Sequence, residues 1–75
     1  SGYSFIMRDN WKLVNYKTPF NIKNFKLYNL ECDPIEEVNL KEKEVEIFNQ
    51  LIKEWKIFSK KNKLIFPTPY IDNIN

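Results

Sequence analysis

The chain has 75 residues, 43% of them hydrophobic and 16% aromatic, which suits one small folded domain better than a disordered segment. It has no histidine and one cysteine, which excludes a Ser-His-Asp or Cys-His centre, a histidine-bearing zinc site and an internal disulfide. A formal charge of +2 is too weak to point to a nucleic-acid partner, and no apolar run approaches the roughly 18 residues that a membrane span needs.

Residues 3–8, Tyr-Ser-Phe-Ile-Met-Arg, read as a strand rich in aromatic and branched side chains. Asp9-Asn10 follows as a two-residue turn. With one glycine in the chain, asparagine and aspartate must supply the backbone conformations that glycine usually takes. Residues 11–16, Trp-Lys-Leu-Val-Asn-Tyr, are the return strand. Pairing across the turn puts Tyr3, Phe5, Met7, Lys12, Val14 and Tyr16 on one face. It puts Ser4, Ile6, Arg8, Trp11, Leu13 and Asn15 on the other. The first face is clearly apolar. The second is half apolar, where a sheet with one wet side would alternate more cleanly, so something is expected to cover it too, at least in part.

Residues 17–24 form a polar loop broken by Pro19, and residues 25–30, Phe-Lys-Leu-Tyr-Asn-Leu, are a third strand. Asp33-Pro34-Ile35-Glu36 carries a helix-start signature that here builds a single turn. Asn39-Leu40-Lys41-Glu42 is a second start, with Asn39 as N-cap and Glu42 closing a capping box. A helix is expected over 40–60, with Val45, Phe48, Leu51, Ile52, Trp55 and Phe58 on one stripe. Lys60, Lys61 and Lys63 gather where its C-terminal dipole favours cations. Residues 64–75, with Pro67 and Pro69, read as an extended strap. The expected fold is α+β, in one domain spanning 1–75: a small antiparallel sheet of three to four strands packed against one C-terminal amphipathic helix.

Residues 26–40 read Lys-Leu-Tyr-Asn-Leu-Glu-Cys-Asp-Pro-Ile-Glu-Glu-Val-Asn-Leu. This resembles a stretch near the C-terminus of sulfatases that runs Glu-Leu-Tyr-Asp-Leu, two variable residues, then Asp-Pro-x-Glu-x-x-Asn-Leu. Leu27, Tyr28, Leu30, Asp33, Pro34, Glu36, Asn39 and Leu40 match at the right spacing, while Lys26 and Asn29 replace the usual Glu and Asp. The hairpin around Arg8-Asp9-Asn10-Trp11-Lys12-Leu13 and the amphipathic helix stand before and after it, as in that family, so the resemblance covers about residues 3–60.

The resemblance implies the small C-terminal domain of an enzyme of the alkaline phosphatase superfamily. The parent would hydrolyse sulfate esters with calcium and a formylglycine made from Cys or Ser in a Cys/Ser-x-Pro-x-Arg motif. Cys32 is followed by Asp33-Pro34, and Arg8 is the sole arginine, so that motif is not here. No catalytic, cofactor-binding or metal-ligating residue is expected in this chain, and none of its own activity. Asp33 and Glu36 are oxygen ligands in principle, but two carboxylates three apart, with Asp33 already a cap, make a weak site. The expected partner is the N-terminal catalytic domain of the same parent, met by the second sheet face with Trp11 exposed upon it; neither nucleic acid nor membrane is expected. Two alternatives are a C-terminal piece of a related phosphate or phosphonate ester hydrolase, and an independent nucleic-acid-binding module using Lys12, Lys17, Lys23 and Lys26.

Overall fold

In the computed structural model, residues 3–17 and 20–61 are described. Pro19 and the expected strap over 64–75 lie outside them. Strand β1 (Ser4–Arg8) and strand β2 (Trp11–Asn15) form the hairpin, strand β3 (Lys26–Asn29) follows a short 3-10 helix at Ile22–Asn24, and helix α1 runs over Val45–Lys61. The three strands make an antiparallel meander in the order β1-β2-β3. The fold class is thus the α+β one expected, with three strands.

The hairpin register pairs Arg8 with Trp11 and Ile6 with Leu13, with Asp9 at a φ of 54° in the turn. Aspartate tolerates this left-handed conformation better than most side chains. Across the other pairing Leu13 meets Leu27 and Lys12 meets Tyr28. Ile6, Leu13 and Leu27 therefore form an aliphatic row across all three strands on one face. That row is the bed of α1, and the core gathers on it: Leu13, Phe20, Phe25, Leu27, Leu51, Ile52 and Trp55, with Ile6 and Trp11 packed at its margin.

This decides which face is covered. The helix lies on the half-apolar face of Ser4, Ile6, Trp11 and Leu13, and the Trp55 indole N–H donates to Ser4 Oγ at 2.7 Å. Arg8 pairs with Glu54 at the same interface. The more aromatic face is left outward, with Tyr3, Phe5, Met7 and Tyr16 exposed. The hairpin alone hides the reason. β3 adds Leu27 to one face but Lys26 and Tyr28 to the other, and that tips the balance.

The helix begins at Val45 rather than near 40. Leu40 instead heads a turn, its carbonyl accepting from the Lys43 N–H at 3.1 Å and the Glu44 N–H at 2.8 Å, and the Phe48 N–H to Glu44 carbonyl bond opens the helix. Leu51, Ile52, Trp55 and Ser59 are its buried residues, with Phe48 packed beside them. Val45 and Phe58, expected in the stripe, are exposed at 49% and 42%. At about 3.6 residues per turn these two fall on opposite margins of the arc centred on 48, 51, 52 and 55. Ser59 takes the position expected of Phe58, its hydroxyl satisfied by the Lys56 carbonyl at 3.0 Å.

Candidate functional site

The segment 26–40 ties the sheet to the helix, and nearly every matched residue in it has a visible structural task. Asn39 sits beside the free edge of β3. Its Oδ1 accepts from the Leu27 N–H at 3.0 Å and the Lys41 N–H at 3.1 Å, while the Leu40 N–H donates to the Leu27 carbonyl at 2.8 Å. Both outward backbone groups of Leu27 are thereby satisfied, which closes that strand edge to further pairing. Asn39 is spent on the strand, so the expected capping box with Glu42 does not start the helix. At the other end of β3 the Leu30 N–H donates to the Asn10 carbonyl at 2.7 Å, and Asn10 Nδ2 donates to Asn29 Oδ1 at 3.2 Å. The hairpin turn and the segment are thus held together.

Asp33 caps a turn, as its pattern predicts. Its carboxylate accepts from the Glu37 N–H at 3.0 Å and the Val38 N–H at 3.0 Å, and its carbonyl from the Glu36 N–H at 3.1 Å. Glu36 stands at a φ of 58°, unusual for a side chain of its length. Such a residue costs on the order of 1–3 kcal/mol and persists only where its surroundings hold it. Here the side chain turns back across the outward sheet face, taking Lys12 Nζ at 2.8 Å on one oxygen and the Tyr16 hydroxyl at 3.0 Å on the other. The ion pair is mostly enclosed, the two side chains being 16% and 21% exposed.

These contacts set the charges. The Lys12 hydrogen bond holds the Glu36 carboxyl below its usual range, against an opposing effect of burial. The Glu37 N–H, then that of Val38, holds Asp33 low. Glu36 in turn raises Lys12, while Tyr16 is raised first by burial and then by its hydrogen bond to Glu36. A carboxylate lowered in the folded chain contributes stability that is present above the ordinary carboxylate range and lost as pH falls through the lowered value. A lysine raised in the folded chain contributes stability present below its ordinary value and lost as pH rises through the raised one. The urea midpoint is expected to fall as pH drops from about 5 to about 2, and Glu36→Gln to flatten part of that slope while lowering the midpoint at neutral pH. An unchanged slope in Glu36→Gln would place the acid sensitivity elsewhere.

Neither carboxylate suits calcium. Both oxygens of Asp33 are taken by backbone N–H groups and both of Glu36 by a cation and a phenol. Among the described residues no group of three His, Cys, Asp or Glu could hold a metal ion. No helix among them is long and apolar enough to cross a membrane. Cys32 is an exposed free thiol.

Three surfaces remain. The outward sheet face carries a continuous aromatic patch: Tyr3 stacks on Phe5 with centroids 5.7 Å apart, Tyr3 meets Tyr16 at 5.5 Å, and Lys12 Nζ lies 5.2 Å from the Phe5 ring centre. Val14 and Tyr28 are buried on that face, while Tyr3, Phe5, Met7 and Tyr16 are 42–57% exposed. Trp11, expected on an exposed docking face, is instead half-buried against the core and lines an open groove of about 330 Å³ with Arg8, Ile47 and Gln50. At the opposite end of the sheet a pocket of about 230 Å³ brings together Lys17, Lys23, Lys26 and Lys41. Of the lysines singled out by sequence, Lys12 stands apart, held by Glu36; Lys41 joins the others only through the fold. The Lys12–Glu36–Tyr16 cluster was not legible in the sequence, because it depends on the backbone reversal at Glu36.

In comparisons with family models, with curated proteins and with solved structures, no match is found.

Proposed function

We propose that this chain is the C-terminal domain of a sulfatase, a structural element that packs on the N-terminal catalytic domain of the same protein and helps wall its substrate cleft. The observation that carries the reading is the match of Leu27, Tyr28, Leu30, Asp33, Pro34, Glu36, Asn39 and Leu40 to the family's spacing. The geometry gives that spacing a reason. Asn39 and Leu40 must reach the edge of β3, and Glu36 must reverse onto Lys12, so the intervals between them are fixed by the fold. Docking falls to the outward aromatic face, since α1 covers the other. Contiguous exposed apolar surface of this kind marks an interaction site more often than a wetted face. Calcium and formylglycine belong, in this reading, to the catalytic domain.

The coding sequence upstream of this chain tests the assignment. A Cys/Ser-x-Pro-x-Arg motif there supports it, and a reading frame that continues upstream through a domain without that motif refutes it in favour of a related phosphate or phosphonate ester hydrolase. The isolated chain is expected to give no turnover of a chromogenic aryl sulfate above buffer.

A further inference from the structure

We propose that the lysine-rimmed pocket at the end of the sheet away from the hairpin turn binds a discrete tetrahedral oxyanion, a sulfate or phosphate ester group carried on a molecule of sugar size. Its rim draws on four separate segments: Lys17 after β2, Lys23 in the 3-10 helix, Lys26 at the start of β3, and Lys41 in the turn before α1. Four of the chain's 12 basic residues and none of its 10 acidic ones line this one concavity. Folding thus concentrates positive charge that the sequence spreads.

The charge is largely uncompensated. Among the described residues the ion pairs are Arg8–Glu54 and Lys12–Glu36, and neither involves a pocket lysine. Lys41 is pinned at the rim, its Nζ donating to the Lys23 carbonyl at 2.7 Å. Asn24 and Asn39 are also in the lining, and Asn39 Oδ1 is already occupied by two backbone N–H groups, which leaves its NH₂ as a donor. Ammonium groups are compact point charges with rotatable donors and impose no planar fork. They suit a tetrahedral oxyanion approached from several sides. A volume of about 230 Å³ takes one such group with part of its carrier, and does not track a polymer backbone.

Single-stranded nucleic acid is the less favoured ligand. It needs a run of exposed rings for base stacking beside the charges. Of the two rings in the pocket lining Phe25 is fully buried in the core, while Tyr16 is exposed toward the outward face with Tyr3 and Phe5, so the pocket's small volume, not a lack of rings, disfavours the polymer. The pocket would bind an oxyanion whether or not the chain comes from a sulfatase, so this proposal and the assignment above fail separately.

The test titrates the full chain with sucrose octasulfate, inositol hexakisphosphate and an oligothymidylate at about 0.1 M salt, by calorimetry and by backbone amide shifts. Saturable binding of one octasulfate or hexakisphosphate per chain is expected, with shifts centred on Lys17, Lys23, Lys26 and Lys41. The tighter of the two identifies a sulfate or a phosphate ester as the natural group. The double variant Lys23→Gln/Lys26→Gln should weaken binding by about tenfold or more. Lys53→Gln/Lys60→Gln, on exposed positions of α1, should change it by less than about twofold, since screening confines such effects to about 10 Å. Circular dichroism melts keep a folding defect from being read as lost affinity. No saturable binding, equal loss in both double variants, or tighter binding of the oligothymidylate than of either small polyanion would overturn the proposal.

Discussion

Replacing Trp55 by alanine is expected to destabilise the chain by about 3–5 kcal/mol, read as a fall in the urea midpoint. A domain of this size has roughly 4–11 kcal/mol of stability in total, so the variant forfeits at least about a quarter of it. Trp55 is fully buried between the sheet and the aromatic residues of the connection from β2 to β3. Its ring meets Phe25 edge-on at 4.8 Å and Phe20 at 6.2 Å, while its N–H reaches Ser4 on the far strand. One side chain thus joins helix, connection and β1. Two milder changes separate packing from hydrogen bonding. Trp55→Phe keeps a ring in the core, and Ser4→Ala leaves the indole N–H without that partner at a cost of about 1–3 kcal/mol. A Trp55→Ala chain that unfolds at the wild-type urea concentration would mean that helix and sheet do not share a core.

The second large effect is expected at Asn15, which is fully buried at the end of β2. Its Nδ2 donates to the Asn21 carbonyl at 3.1 Å and its Oδ1 accepts from the Lys17 N–H at 2.9 Å. Asn21 in turn caps the 3-10 helix, accepting from the Lys23 N–H at 3.0 Å. Asn15 is therefore the clip that folds the polar connection back under the core and delivers Phe20 and Phe25 to Trp55. Asn15→Ala removes both hydrogen bonds and the side chain of a fully buried residue, and should cost about 1–3 kcal/mol. Asn15→Asp should be no better. It keeps the acceptor for Lys17 but sets a carboxylate against the Asn21 carbonyl, and burying that charge makes the loss larger at neutral pH than at low pH. A loss below about 0.5 kcal/mol in Asn15→Ala would show that the connection holds its place without this residue.

The parts of the fold legible in the sequence are those with short-range causes. Asp9-Asn10 between two alternating runs fixes the hairpin, and with it the register from Arg8–Trp11 to Ser4–Asn15. The spacing of Phe48, Leu51, Ile52 and Trp55 marks the helix face. Asp33 before Pro34 marks the turn it caps. What escaped depends on contacts distant in sequence. The hairpin face destined for the helix was chosen by Leu27, supplied 14 positions after Leu13 by the pairing of β3. The helix start moved to Val45 because Asn39 serves the strand edge instead of the helix end. Trp11, by composition a docking residue, serves the core margin, and the exposed apolar side chains of the sheet are instead Tyr3, Phe5, Met7 and Tyr16. Of the candidate surfaces, the lysines after β2 and before β3 were visible singly. Their convergence with Lys41 follows only from the turn that leads into α1.

The proposed role rests on the outward aromatic face being an interface with a larger domain. Hydroxyl-radical footprinting of Met7, 52% exposed on that face, tests it directly. The rate of Met7 oxidation is compared between the chain alone and the same chain continuous with its upstream region. Rapid oxidation in the chain alone and strong protection in the longer protein is the predicted result. Equal rates in the two would contradict the account, since the face would then be open to water in both.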